Sequence, residues 1–124
     1  RFHNNLVAFY WYPDMNPEFS GDWTAVAQFA AERDALFSSQ RFIGKQLVWI
    51  HFRSFDLQSQ NTAVVTAQES WQDTLNEGDL YGDYKTISQR GPYTLEVTYT
   101  VFYNAAENYW YVQSALYASQ PPGW

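Results

Sequence analysis

The 124-residue sequence has no cysteine, which excludes disulfides and thiolate metal sites. It is also poor in basic residues: Lys45 and Lys85 are the only lysines, and thirteen acids against seven bases leave a formal net charge of −6. A field of that sign repels phosphate, so nucleic acid and anionic membrane surfaces are poor partners. No apolar run approaches the ~18 residues that a helix needs to cross a bilayer. There is no G-x-S-x-G turn, P-loop or G-x-G-x-x-G run, so nucleophilic catalysis and phosphate cradling lack their usual signals. His3 and His51 are the only histidines and lie far apart. The acidic run Asp73, Glu77, Asp79 and Asp83 does not follow the spacing of a calcium loop. No metal and no cofactor is therefore expected. The chain opens on Arg1 rather than Met, and is expected to be a single domain, 1–124, cut from a longer protein.

What the chain has in abundance is aromatic rings, with 6 Trp, 10 Tyr and 9 Phe. Rings at this density favour strands and are rare in disordered segments. The acidic remainder, rich in Gln, Ser and Asn, suits an extracytoplasmic domain. Residues 1–12 fit the end of an amphipathic helix or a short strand from 6 to 12. Asp22 has the place of an N-cap for a helix of about 20 residues. Trp23, Val26, Ala27, Ala30 and Phe37 form its apolar stripe, widened by Phe29 and Leu36, and Gly44 has the place of a left-handed terminator. From Gln46 the period changes to two, and strands are expected over 47–57, 63–75, 94–103 and 109–118. The expected fold class is α+β, with one or two helices packed on a curved, four-stranded antiparallel sheet. The polar segment 76–92 reads as a long loop, expected to form a flap over the open end of the sheet with Tyr81 or Tyr84 touching a ligand.

The order of these motifs resembles a known family. A helix, then a strand ending SFDLQSQN, then TAVVTAQESW, YTLEVTYTVFY and YWYVQSALY is similar to the nuclear-transport-factor-two-like superfamily. Within it, the nearest likeness is to the accessory domain of chloroplast-division and related bacterial proteins. The matching elements are Thr62 to Trp71, Tyr99 to Tyr103 and Trp110 to Val112, within residues 20–118. The resemblance implies a cone-shaped domain in a larger bacterial protein. It also implies a non-catalytic role, binding a protein partner or a small apolar ligand in a pocket, although some members of the superfamily are enzymes.

Two symmetric hairpins supply the candidate site. Pairing about loop 58–61 sets Phe55 against Val65, Arg53 against Ala67, His51 against Glu69 and Trp49 against Trp71. One face then carries two tryptophans with His51, Glu69 and Arg53, a cluster able to handle protons in a small isomerase or dehydratase. The plainer reading is a charged pair on a solvated face. Pairing about loop 104–108 sets Tyr103 against Tyr109 and Phe102 against Trp110, with Leu95, Val97 and Val101 on the core face. Trp49, Trp71, Tyr81, Tyr84, Phe102 and Trp110 are the candidate contacts for a ligand or partner. The threonine-lined second face would also allow two copies to pair sheet to sheet.

Overall fold

The computed structural model describes His3, Leu6 and residues 24–124, excluding the side chains of residues 24–28. Helix α1 (Thr24–Ser38) is followed by β1 (Arg41–Leu57), β2 (Thr62–Gly78), β3 (Tyr84–Asn104) and β4 (Tyr109–Tyr117). The strands form one antiparallel sheet in the order β1-β2-β3-β4, a simple meander. This is the α+β layout expected from the change of period at the end of the helix. His3 and Leu6 are both helical. The expected stripe residues Trp23, Val26 and Ala27, and the Asp22 cap, lie outside what is described.

The core follows from alternation along the strands. Every second residue of β2, from Ala63 through Val65, Ala67, Glu69, Trp71 and Asp73 to Leu75, is buried. Leu95, Val97 and Tyr99 of β3 and Ala115 and Tyr117 of β4 continue the same face. We call this the inner face. Phe29 of α1 closes on it against Tyr117, with ring centroids 5.2 Å apart, and Ala30 and Leu36 pack around it. Burying a ring such as Phe29 contributes roughly 1.5–3 kcal/mol. The opposite, outer face carries Thr66, Gln68, Thr98, Thr100 and Ser114, none of them buried.

Four local expectations are corrected. The helix ends at Ser38, not at Gly44. Gln40 takes the left-handed conformation (φ 58°) and donates to the Phe37 carbonyl at 3.1 Å. Gly44 lies within β1 opposite Thr74, because Phe42 and Ile43 are each buried in an extended strand. The first hairpin is symmetric only near its loop. Phe55 does oppose Val65, but bulges at Arg53 and Val48 shift the rest, so His51 opposes Gln68, Ile50 opposes Glu69 and Leu47 opposes Trp71. A one-residue slip sends every side chain to the other face. In the last hairpin Asn104 joins the ladder opposite Tyr109 while its side chain accepts from the Ala106 and Glu107 amides. Tyr103 therefore opposes Trp110, and Phe102 opposes Tyr111.

The largest correction concerns 76–92, which is not a loop. β2 and β3 run on to a tight turn at 79–83, with Gly78 opposite Tyr84 and Asn76 opposite Thr86. The turn is held by Asp79, whose carboxylate accepts from the Tyr81 amide and whose carbonyl accepts from the Gly82 amide. The hairpin places this turn at the opposite end of β2 from loops 58–61 and 104–108. A flap over that far end is therefore ruled out by connectivity. Tyr81 is exposed at the turn, and Tyr84 packs edge-on against Phe42 at 5.1 Å. The alternation was hidden because inward positions here hold Asp73 and Arg90, and the strand continues through Asn76, polar residues that are nevertheless buried.

Gly91 marks the bulge that carries β3 across from Trp71 to Asp73. Its φ is +96°, and a Cβ there would lie 2.6 Å from the Trp71 carbonyl oxygen. Gly91→Ala should therefore cost about 2 kcal/mol or more and lower Tm by roughly 6–10 °C. Gly123→Ala, with nothing near its Cβ, should leave Tm unchanged. Thermal melts of the two variants check this; equal midpoints would show that the close approach at Gly91 is not a constraint.

Candidate functional site

Toward loops 58–61 and 104–108 the inner face opens into a pocket of about 600 Å³. Phe52 and Phe55 of β1, Val65 of β2, Val101 of β3, and Trp110 and Val112 of β4 form its walls, and His3 and Tyr99 its deep end. β1 and β4 are the two edges of the sheet, about 14 Å apart if it were flat. The Phe55 and Trp110 rings nevertheless meet edge to face at 5.6 Å, which requires the sheet to curl. Tyr103 supports Trp110 from its own strand pair at 5.1 Å. The walls are almost wholly apolar, and Phe55 and Trp110 are partly exposed at the rim.

The polar groups at the deep end converge on one carboxylate. Glu69 is fully buried. Its Oε1 accepts from the Trp71 indole at 3.0 Å and the Tyr117 hydroxyl at 2.7 Å. Its Oε2 accepts from the Tyr99 hydroxyl, with His3 Nε2 at 2.7 Å. Burying a carboxylate is tolerable only when its lone pairs are taken up in this way.

A second buried carboxylate lies further along β2 on the same face. Asp73 receives Lys45 Nζ at 3.0 and 3.2 Å, Arg90 Nε at 2.6 Å and the Tyr93 hydroxyl at 2.6 Å. The free end of the Arg90 guanidinium forks onto Glu32 of α1 at 2.8 and 2.9 Å. It also donates to the Pro122 carbonyl at 2.8 Å, with the Trp124 ring 4.1 Å away. Two cations and two anions balance. Burial lowers the pKa of Lys45 below the ordinary lysine value, and the Asp73 charge resists that shift. Burial alone would lower the Arg90 pKa too, but its bonds to Glu32 and Asp73 outweigh it and hold the guanidinium charged. Burial, reinforced by the Asp73 charge and hydrogen bond, lifts the Tyr93 phenol well above its usual range. Trp71 links the two carboxylates, since its N–H serves Glu69 while its ring lies 5.0 Å from Lys45 Nζ.

The structure scatters the residues that a symmetric hairpin would have gathered. His51 is exposed opposite Gln68 on the outer face, Glu69 is buried on the inner face, and Arg53 at its bulge pairs with Glu96 at 3.3 Å. Trp49 lies opposite Ser70 on the outer face and is half exposed, whereas Trp71 is buried. Phe102 is exposed on the outer face, and Tyr81 and Tyr84 belong to the far turn. Of the six candidate contacts, Trp110 alone lines the pocket. Phe52, Phe55, Val112 and Tyr99 were missed as lining; the bulge at Arg53 turns Phe52 inward, and a register shift between Thr100 and Val101 sets Val112 opposite Val101. Lys45, Asp73 and Arg90 were missed as a cluster. Their only sequence signal is a charge at an inward position of three successive strands.

No family model matches the chain, and no curated protein matches it. Among solved structures, the fold is similar to the intermembrane space region of the chloroplast protein ARC6. The TM-score is 0.55 with 16% identity, over 93% of this chain and 87% of that one. At this identity the likeness is one of fold. It agrees with the chloroplast-protein side of the resemblance carried by the strand motifs. The wider nuclear-transport-factor-two-like superfamily has no family match behind it. No helix among the described residues is long and apolar enough to cross a membrane.

The buried charge cluster yields a stability test. Asp73→Ala strands Lys45 and Arg90 without their shared carboxylate and should cost about 3–5 kcal/mol, lowering Tm by roughly 10 °C or more. Trp124→Ala removes only one half-exposed ring over Arg90 and should cost about 0.5–1 kcal/mol. Differential scanning calorimetry of both variants checks the order; a Tm for Asp73→Ala within about 2 °C of the parent would mean that the cluster does not hold the fold.

Proposed function

We propose that this chain is a non-catalytic accessory domain, part of a larger protein, that binds an apolar group of a protein partner or a small apolar ligand. The observation that carries the reading is the pocket of about 600 Å³ walled by Phe52, Phe55, Val65, Val101, Trp110 and Val112. Its size and lining are those of a ligand site, and exposed aromatic rings at a rim favour recognition. The polar groups at its deep end, His3 and Tyr99, are engaged with Glu69, which supports a holding role for them rather than a chemical one. The fold likeness to an intermembrane-space region supports a setting outside the cytoplasm.

Titration with the neutral apolar dye Nile red tests the pocket. Val112→Trp should fill it and weaken dye binding at least tenfold, equivalent to about 1.4 kcal/mol. Phe52→Ala, at a residue 60% exposed, should weaken binding several-fold with Tm nearly unchanged. Dye affinity unaltered in both folded variants would refute the reading.

A further inference from the structure

Aromatic rings make up much of the pocket wall. The Phe55 and Trp110 ring planes stand at 88° to each other and form two sides of a corner. Phe52 and Tyr99 add rings from β1 and β3. The faces of such rings carry negative charge density and attract a cation within about 6 Å. The polar side chains of the lining, by contrast, are all engaged. Arg53 pairs with Glu96, Ser54 Oγ with Thr66 Oγ1 at 2.5 Å, and His3 and the Tyr99 hydroxyl with Glu69. Each Glu69 oxygen already accepts from two donors, which uses its lone pairs.

The charge around the pocket has one sign. In the half of the sheet toward loops 58–61 and 104–108, residues 50–69 and 95–117, the charged residues are Arg53, Asp56, Glu69, Glu96 and Glu107. One base against four acids leaves a formal −3 there, with the histidines neutral. Arg53 and Glu96 cancel each other. Asp56, next to Phe55, and Glu107, in the loop that leads to Trp110, are exposed and form no ion pair among the described residues. Arg41, Lys45, Lys85 and Arg90 gather instead around Glu77 and Asp73, at the opposite end of β2.

We infer that the pocket takes a small organic cation, a quaternary ammonium group on an apolar body; this names the ligand class within the function proposed above and rests on it. The ring faces and the negative field favour a positive charge and disfavour a carboxylate. A quaternary nitrogen has no N–H to satisfy, so it asks for no acceptor in a lining whose polar side chains are taken. Its head fills only a fraction of about 600 Å³, so an apolar body occupies the rest.

Calorimetric titration at low ionic strength tests this with compounds sharing a naphthylmethyl body: the trimethylammonium, the primary ammonium, the neutral alcohol and the carboxylate. The trimethylammonium compound should bind about tenfold tighter than the carboxylate, and about threefold tighter than the primary ammonium or the alcohol. Choline, a head without the body, should bind about tenfold more weakly than the trimethylammonium compound. Trp110→Leu keeps the wall apolar and should lower the trimethylammonium-to-alcohol affinity ratio about threefold. Asp56→Asn combined with Glu107→Gln, both at exposed positions, should lower the same ratio about threefold with alcohol affinity unchanged. Equal affinity for the trimethylammonium and carboxylate compounds while Nile red still binds, or a ratio unchanged in both variants, would overturn the cation assignment alone. Failure of both Nile red and the alcohol to bind would overturn the pocket reading with it.

Discussion

A carboxylate with no exposure to water, held in the middle of a sheet by two cations, sets the terms for the rest of this fold. The buried Asp73 carboxylate is met by Lys45 and Arg90, and Arg90 in turn needs Glu32 to complete its bonding. The cluster therefore draws together β1, β2, β3, the helix and the C-terminal residues Pro122 and Trp124. Ionic groups of this kind contribute less than an apolar core of the same volume would, but removing one partner is costly. Their effect is to specify one arrangement of helix, sheet and tail.

Glu69 repeats the principle along β2, with Trp71 common to both networks. Together the two carboxylates fill with hydrogen bonds the region where the helix meets the sheet. Beyond Glu69, toward the 58–61 and 104–108 loops, no buried charge among the described residues continues the series, and none of the described side chains of α1 lines the pocket. The pocket lies there, between rings from both edges of a curled sheet. Its apolar character has one origin: past Glu69 the inner face carries Val65, Val101 and Val112 in place of charged groups.

The bulges at Val48 and Arg53 matter more to the surface than to the core. β2 keeps its alternation intact, so the interior would read the same with or without them. On β1 they turn His51 and Trp49 outward and bring both Phe52 and Phe55 inward. A proton-handling cluster that a regular hairpin would assemble is thereby replaced by an apolar edge. Bulges at sheet edges commonly re-aim side chains in this manner.

Much of the architecture was legible in the residues themselves. The change of period after the helix, the ring-rich strands and the alternation of Val65, Ala67, Leu95 and Val97 determined an α+β fold, four antiparallel strands and the core face, because local burial patterns need no distant information. The helix end at Gln40, the continuation of β2 and β3 through 76–92, and the register beyond Ser54 were decided by tertiary structure. Asp73 and Arg90 look like loop residues until Lys45, Glu32 and each other neutralise them, and Asn76 does until Thr86 bonds its side chain. A bulge leaves no mark in composition, because it depends on how two strands share their hydrogen bonds. The candidate site depends on both effects, so its residues could be recognised only once the sheet had brought its two edges together at Phe55 and Trp110.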